Sequence, residues 1–326
     1  MRRRLLLATP ALSLTVAFAA RDAAAQALPE GTVRILWGYP PGGAGDFIAR
    51  LVAEHASARL GRQIVVINQP GATGLIAIDA LRNARPDGAT IGMMAMTNAV
   101  LMPMVNSRAK FDFTTDFESI AHGVSYSLGF AVSAKAEFDS WPGFLAWAKA
   151  NPSKVLFGGS GLGSISHLFG AMMKRKLGVN LEYVPFRGGA DLNNALIAGQ
   201  MPLAIGVTSD FAAHHKAGKM KVLAVSTARR DVSAPDVPTF IELGHADLES
   251  EPWFSFFAPP RTPAPLLAQW NEAINHALAL PAVRERIAQA GFTVGGGTPA
   301  ALRARMEADK ARWLPEVQAS GIRMEE

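Results

Sequence analysis

"YPPGGAGDFIARLV" (residues 39–52) sets two prolines against a glycine pair and then opens an amphipathic helix on an aspartate. Pro40 and Pro41 stiffen the backbone and bring no N–H of their own. Gly42, Gly43 and Gly45 do the opposite, admitting unusual backbone angles and letting a ligand approach bare main chain. The helix that follows begins with N–H groups lacking intrahelical partners and with the positive end of its dipole. Immediately upstream, "VRILWG" (33–38) reads as a buried strand. A strand, a glycine turn and a helix N-terminus in succession make an anion site. Phe47, Ile48, Leu51, Val52 and Leu60 then trace one apolar face of a helix over 46–60, stopped by Gly61.

The same alternation continues outward. "QIVVIN" (63–68) and "ATIGMM" (89–94) read as buried strands, with a helix over 75–84 between them and the turn "RPDGAT" (85–90) before the second. A second series begins after residue 125, with strands at 155–159, 181–186, 202–207 and 221–227. Its first helix carries Ile165, Leu168, Phe169, Met172 and Leu177 on one face and ends in Lys174, Arg175 and Lys176 before Gly178. Residues 228–265 are proline-rich but hold one further strand, "WFSFFAP", before helical segments near 264–279, 281–290 and 299–313. Short β-rich runs alternating with helices predict α/β layers around mainly parallel sheets. "PFRGGAD" (185–191) echoes "YPPGGAGD": each ends a strand, places Gly-Gly and enters a helix at aspartate. The two series thus predict two lobes of analogous construction.

Residues 1–25 stand apart. Arg2, Arg3 and Arg4 precede an apolar run (5–20), and "AAAQ" offers a small-residue cleavage site ending at Ala25. The run is interrupted by Thr9, Pro10 and Ser13 and is shorter than the ~20 residues that span a bilayer. A cleaved export signal and a soluble periplasmic protein beginning at Gln26 are expected. Four arginines and one aspartate leave with the signal, which lowers the formal net charge from +5 to +2. With Lys and Arg spread along the chain, nothing points to nucleic acid. The chain has no cysteine, and a core this large needs no disulfides. The remaining length suits two domains.

"GGSGLGSISH" (158–167) is a second glycine loop opening a helix. It lacks the Gly-Lys-Ser/Thr of a phosphate-binding loop. It places Ser164 where a dinucleotide fingerprint needs its last glycine, and Leu162 where a nucleophile elbow needs one. His214 and His215 are adjacent and point different ways on a helix, and the other histidines show no metal-ligand spacing. No cofactor, metal or catalytic group is expected. Asp46 reads both as a residue stabilising its own helix and as a carboxylate at the mouth of the anion site. Arg187, beside a glycine turn, is a solvated cation or a partner for a distal carboxylate.

These motifs, in this order, resemble the periplasmic solute receptors of tripartite tricarboxylate transporters, the Bug (Bordetella uptake gene) or TctC-type receptors. The likeness runs from "YPPGGAGDFIARLVAEHASARLG" and "VVINQPGATG" through "GGSGLGSISHLFG" and "VPFRGGAD" to "HKAGKMKVLAVSTARRDVSAPDVPTFIELG" and "WFSFFAPPRTP". It implies a type II-like two-lobed periplasmic-binding-protein fold, with lobes over 26–125 plus 251–326 and over 126–250, and two chain crossings at the hinge. It also implies a small organic acid as ligand, membrane permease subunits as partners and a monomeric receptor. Carried over by position, the ligand contacts are Tyr39, Pro41, Gly42, Gly43, Gly45 and Asp46 in one lobe, with Thr97 and Asn98 after the third strand. In the other lobe they are Gly159, Ser160, Gly161, Gly163 and Ser164, with Arg187, Gly188 and Gly189 on the far wall. The chain departs from the family after the strand at 202–205. There Gly206-Val207, followed by Thr208, Ser209 and Asp210, stand where members often carry an acid or amide, and this bears on the distal end of the ligand. Two other readings share the scaffold: a ligand-sensing partner of a signalling system, and an enzyme acting on a small carboxylate.

Overall fold

The structure, a computed structural model, describes residues 27–324; the expected signal segment and its cleavage after Ala25 lie outside the described residues. β1 (Val33–Trp37) leads into α1 (Ala44–Leu60), followed by β2 (Ile64–Asn68), α2 (Leu75–Arg82), β3 (Thr90–Ala95), α3 (Met102–Val105) and β4 (Glu118–Tyr126). β5 (Leu128–Ser133) starts one residue later. After it come α4 (Trp141–Ala150), β6 (Leu156–Ser160), α5 (Ile165–Leu177), β7 (Glu182–Phe186), α6 (Gly189–Ala198), β8 (Leu203–Val207), α7 (Thr208–Lys216) and β9 (Met220–Val225). A long connection then reaches β10 (Trp253–Ala258), α8 (Ala264–Ala279), α9 (Pro281–Gln289), β11 (Phe292–Gly296) and α10 (Pro299–Ser320).

The strands form a six-stranded sheet, ordered β11-β4-β10-β3-β1-β2, and a five-stranded sheet, ordered β7-β6-β8-β5-β9. β1 lies parallel to β2 and β3, and β6 parallel to β7 and β8, each pair sharing its sheet through helical crossovers. β10 runs antiparallel to β3 and β4, β11 antiparallel to β4, and β5 antiparallel to β8 and β9. Each sheet is therefore mixed and not mainly parallel as the sequence pattern suggests. Among the described residues, four strand pairings are parallel and five antiparallel, because the strands added around the two chain passages run antiparallel. The antiparallel part includes the strands by which the chain changes sheet. Helices cover both faces, which is why β3 and β10 are buried along their whole length and read as mostly apolar runs.

The chain passes to the second sheet at Ser127 and returns between Val225 and Trp253, and the two passages lie side by side. Leu128 N–H donates to Ser226 Oγ at 2.9 Å, Ser250 N–H to Ser226 O at 2.8 Å and Tyr126 N–H to Pro252 O at 2.9 Å. The Ser127 hydroxyl is bonded with the Asp231 carboxylate and the Thr208 hydroxyl. Helix ends follow the expected chemistry. Gly61 and Gly178 close α1 and α5 in the left-handed conformation, at φ 62° and 65°.

Candidate ligand-binding cleft

β1, β3, β6, β7 and β8 all end toward the space between the sheets, the usual place for a ligand in open α/β folds. A cavity of about 80 Å³ lies there. One water needs roughly 10–15 Å³ on this measure, so the space suits a small organic molecule. One wall is aromatic. Trp37 meets Tyr39 and Phe254 with ring centroids 5.0 and 5.2 Å apart, and Tyr126 meets Phe254 at 4.6 Å. The other walls are polar: Thr97 after β3, Ser160 and Ser166 around the start of α5, the first turn of α6, and the opening residues of α1.

The start of α1 explains itself residue by residue. Gly42 is left-handed (φ 90°), and its N–H donates to Asp46 Oδ2 at 3.1 Å. Gly43 is the N-cap and offers no side chain to bond the helix end. The Ala44 N–H donates instead to Asp210 Oδ1, 2.9 Å away on α7 of the other sheet. The protein thus brings a carboxylate of its own to the helix end that was expected to grip a ligand. Asp210 is half-buried at the cavity wall; burial pushes its carboxyl up to about 6, with the Ala44 N–H pulling the other way. Burial likewise raises the Tyr39 and Tyr126 hydroxyls, so both stay protonated donors.

α6 begins at Gly188, which provides no side-chain cap, and its first residues Gly189, Ala190 and Asp191 line the cavity. Here too the first N–H groups lack intrahelical partners. Hydrogen bonds join the two sides of the cleft as well. Ile165 N–H donates to Thr97 Oγ1 at 3.1 Å, and Thr73 Oγ1 to Leu162 O at 3.1 Å.

Of the residues singled out from sequence, the structure brings Tyr39, Pro41, Gly43, Gly45, Thr97, Ser160, Gly188 and Gly189 together on this cavity. The others lie behind its wall. Asp46 spends its oxygens on Arg50, Asn68 and the Gly42 N–H. Gly42 borders a separate groove beside α7. Asn98 is buried, donating to Thr73 O at 2.7 Å and accepting from the Ala95 N–H. Ser164 is the N-cap of α5, accepting from the His167 N–H at 3.3 Å. Gly159 makes room for Ser166 and Tyr183, Gly161 for Thr73, and Gly163 for Met324 and Val105. Arg187 points outward, 86% exposed, and pairs with Asp191 at 3.1 Å. Sequence reading missed Trp37, Tyr126, Ser166, Phe254 and Asp210 as wall residues. For Asp210 there was a signal: the departure after the strand at 202–205 pointed to this turn.

A sequence profile described as the tripartite tricarboxylate transporter family receptor matches residues 48–322. The chain belongs to this receptor family. A Bordetella bronchiseptica relative, a UPF0065 protein, is 32% identical over 323 residues, covering 99% of this chain and 94% of the relative. The solved periplasmic binding protein BugD superposes with a TM-score of 0.86 at 29% identity, over 90% of this chain and 99% of BugD. A Rhodopseudomonas palustris protein with adipate gives 0.87 at 27% identity, over 90% of this chain and 99% of its own. MatC of the same organism, with bound malate, gives 0.84 at 26%, over 89% and 100%. The fold is accordingly that of the two-lobed periplasmic binding proteins, and the family is one of solute receptors. Among the described residues, no group of three or more His, Cys, Asp or Glu is placed to hold a metal ion.

Proposed function

We propose that this receptor takes a small organic acid into the cavity between its sheets, closes over it, and delivers it to the membrane subunits of a tripartite transporter. The carrying observation is the set of hydroxyls of Thr97, Ser160 and Ser166 gathered with an aromatic wall on one cavity of small-molecule size. A carboxylate there would take charge-assisted bonds from these hydroxyls, while the aromatic wall covers its carbon skeleton. The adipate and malate found with two similar structures are of this class.

On this reading residues 26–125 with 251–326 move as one lobe and 126–250 as the other, turning about the paired passages at Ser127 and Ser226. The separation of β1–β4, β10 and β11 into one sheet and β5–β9 into the other supports that division. A receptor rather than an enzyme is supported by the family profile, which describes receptors. Export to the periplasm with cleavage after Ala25, and function as a monomer, complete the proposal; N-terminal sequencing of the exported protein checks the first.

Calorimetry against monocarboxylates, hydroxy and amino acids, malate and adipate tests the site. At least one acid should bind, and its methyl ester at least tenfold less well. Gly43→Val should weaken binding without unfolding the protein, because φ at Gly43 is ordinary and a Cβ there meets open space. Equal affinity for acid and ester, with Gly43→Val unaffected, would place the ligand elsewhere.

A further inference from the structure

We propose that Asp210 makes this receptor select acids with a single carboxylate and a hydrogen-bond donor (ammonium, hydroxyl or amide N–H) at the other end, and reject acids with a second carboxylate. The inference rests on the carboxylate reading above and names the substrate class within it.

Among the described residues, two charged side chains line the cavity, and both are acidic: Asp191 and Asp210. Asp191 already has the Arg187 guanidinium at 3.1 Å. Asp210 takes part in no ion pair among the described residues. Among the described residues, its one hydrogen-bonded neighbour at the carboxyl is the Ala44 N–H. No Lys, Arg or His among the described residues stands on the wall to neutralise it or to receive a second carboxylate from a ligand. The Tyr126 hydroxyl, whose ionisation burial and the Asp210 charge both oppose, stays uncharged.

The fold accommodates this carboxyl closely. Its Oδ2 lies so near the start of α6 that a Cβ added to Gly189 would sit 2.2 Å from it. Its Oδ1 meets the start of α1. One side-chain anion therefore sits against two helix N-termini, the features that would otherwise attract a ligand's second carboxylate. A ligand carboxylate at that end would meet a like charge in a partly desolvated space, whereas a donor would meet an acceptor with room for one more bond. The carboxylate of the ligand is left to the Thr97, Ser160 and Ser166 side of the cavity.

The test is calorimetry at pH 8, where Asp210 is ionised, using chain-length pairs: an ω-amino or ω-hydroxy acid against the dicarboxylate of equal length. The wild type should bind the donor-bearing acid at least tenfold more tightly. Asp210→Asn keeps an acceptor for the Ala44 N–H, and a thermal melt establishes that it folds. It should lose the preference, with dicarboxylate affinity rising at least tenfold. A wild type that binds dicarboxylates as well as their donor-bearing counterparts, with Asp210→Asn changing neither, overturns the proposal and leaves the carboxylate receptor intact. Failure of every acid to bind overturns both.

Discussion

At Gly45 the missing side chain serves the core. A Cβ there would lie 2.0 Å from Trp37 Cζ2, so helix α1 can seat on the indole only through a glycine. Gly45→Ala should cost about 1–3 kcal/mol through overpacking, read as a lower denaturation midpoint, and should weaken ligand binding because Trp37 shares its other side with the cavity. One position further, burial alone would raise the Asp46 carboxyl. Bonds from Arg50, Asn68 and the Gly42 N–H outweigh burial and hold it below the ordinary carboxylate range. A carboxyl depressed in the folded state contributes stability above its unfolded value, near 3.9, and loses it as pH falls through the folded value. Acidification below about pH 4 should therefore destabilise the wild type more steeply than Asp46→Asn, as urea midpoints measured between pH 2.5 and 7 would show. The i,i+4 spacing of Asp46 and Arg50 is visible in the sequence. Asn68 and Asp210 are brought to the same turn only by the fold, so the glycine loop was legible as an anion site while the identity of its anion was not.

At the scale of elements, the strands read correctly from sequence were those bracketed by helices, glycine turns or, for β10, prolines. β4 and β11 escaped. "ESIAHGVSY" mixes polar and apolar residues because its polar groups bond one another inside the sheet: the His122 ring meets Ser255 Oγ at 3.0 Å and Ser125 Oγ at 3.1 Å. Burial pushes His122 down to about 3, so it serves as a neutral crosslink. β11 ends in Gly295-Gly296 and resembles a loop for that reason. β5 escaped because a single residue, Ser127, separates it from β4. The start of α5 divides its serines between two tasks. Ser164 caps the helix and Ser166 lines the cavity. Ser164→Ala should cost about 1 kcal/mol of stability, lowering Tm by about 2 °C. Ser166→Ala should leave Tm nearly unchanged and weaken ligand affinity, so paired melts and calorimetry separate the roles.

For the whole molecule, the two lobes were legible as a repeated construction, strand to Gly-Gly to helix. The bonds that join them across the cleft were not, because each links residues far apart in the chain. Thr97 and Ile165 make one such bond at 3.1 Å. Thr97→Val preserves shape and removes the acceptor, a loss of about 1 kcal/mol. Affinity should fall about fivefold, mostly as faster dissociation in stopped-flow traces.

The aromatic wall also gives the molecule an optical property. Of its six tryptophans, Trp37 is the one on the cavity, while Trp253 and Trp270 are sealed in the core. A ligand entering the cleft changes the polarity and quenching around that single indole, so intrinsic emission should report occupancy without a label. Trp37→Phe should silence the signal while the other five indoles continue to report folding, which separates binding from stability in one cuvette.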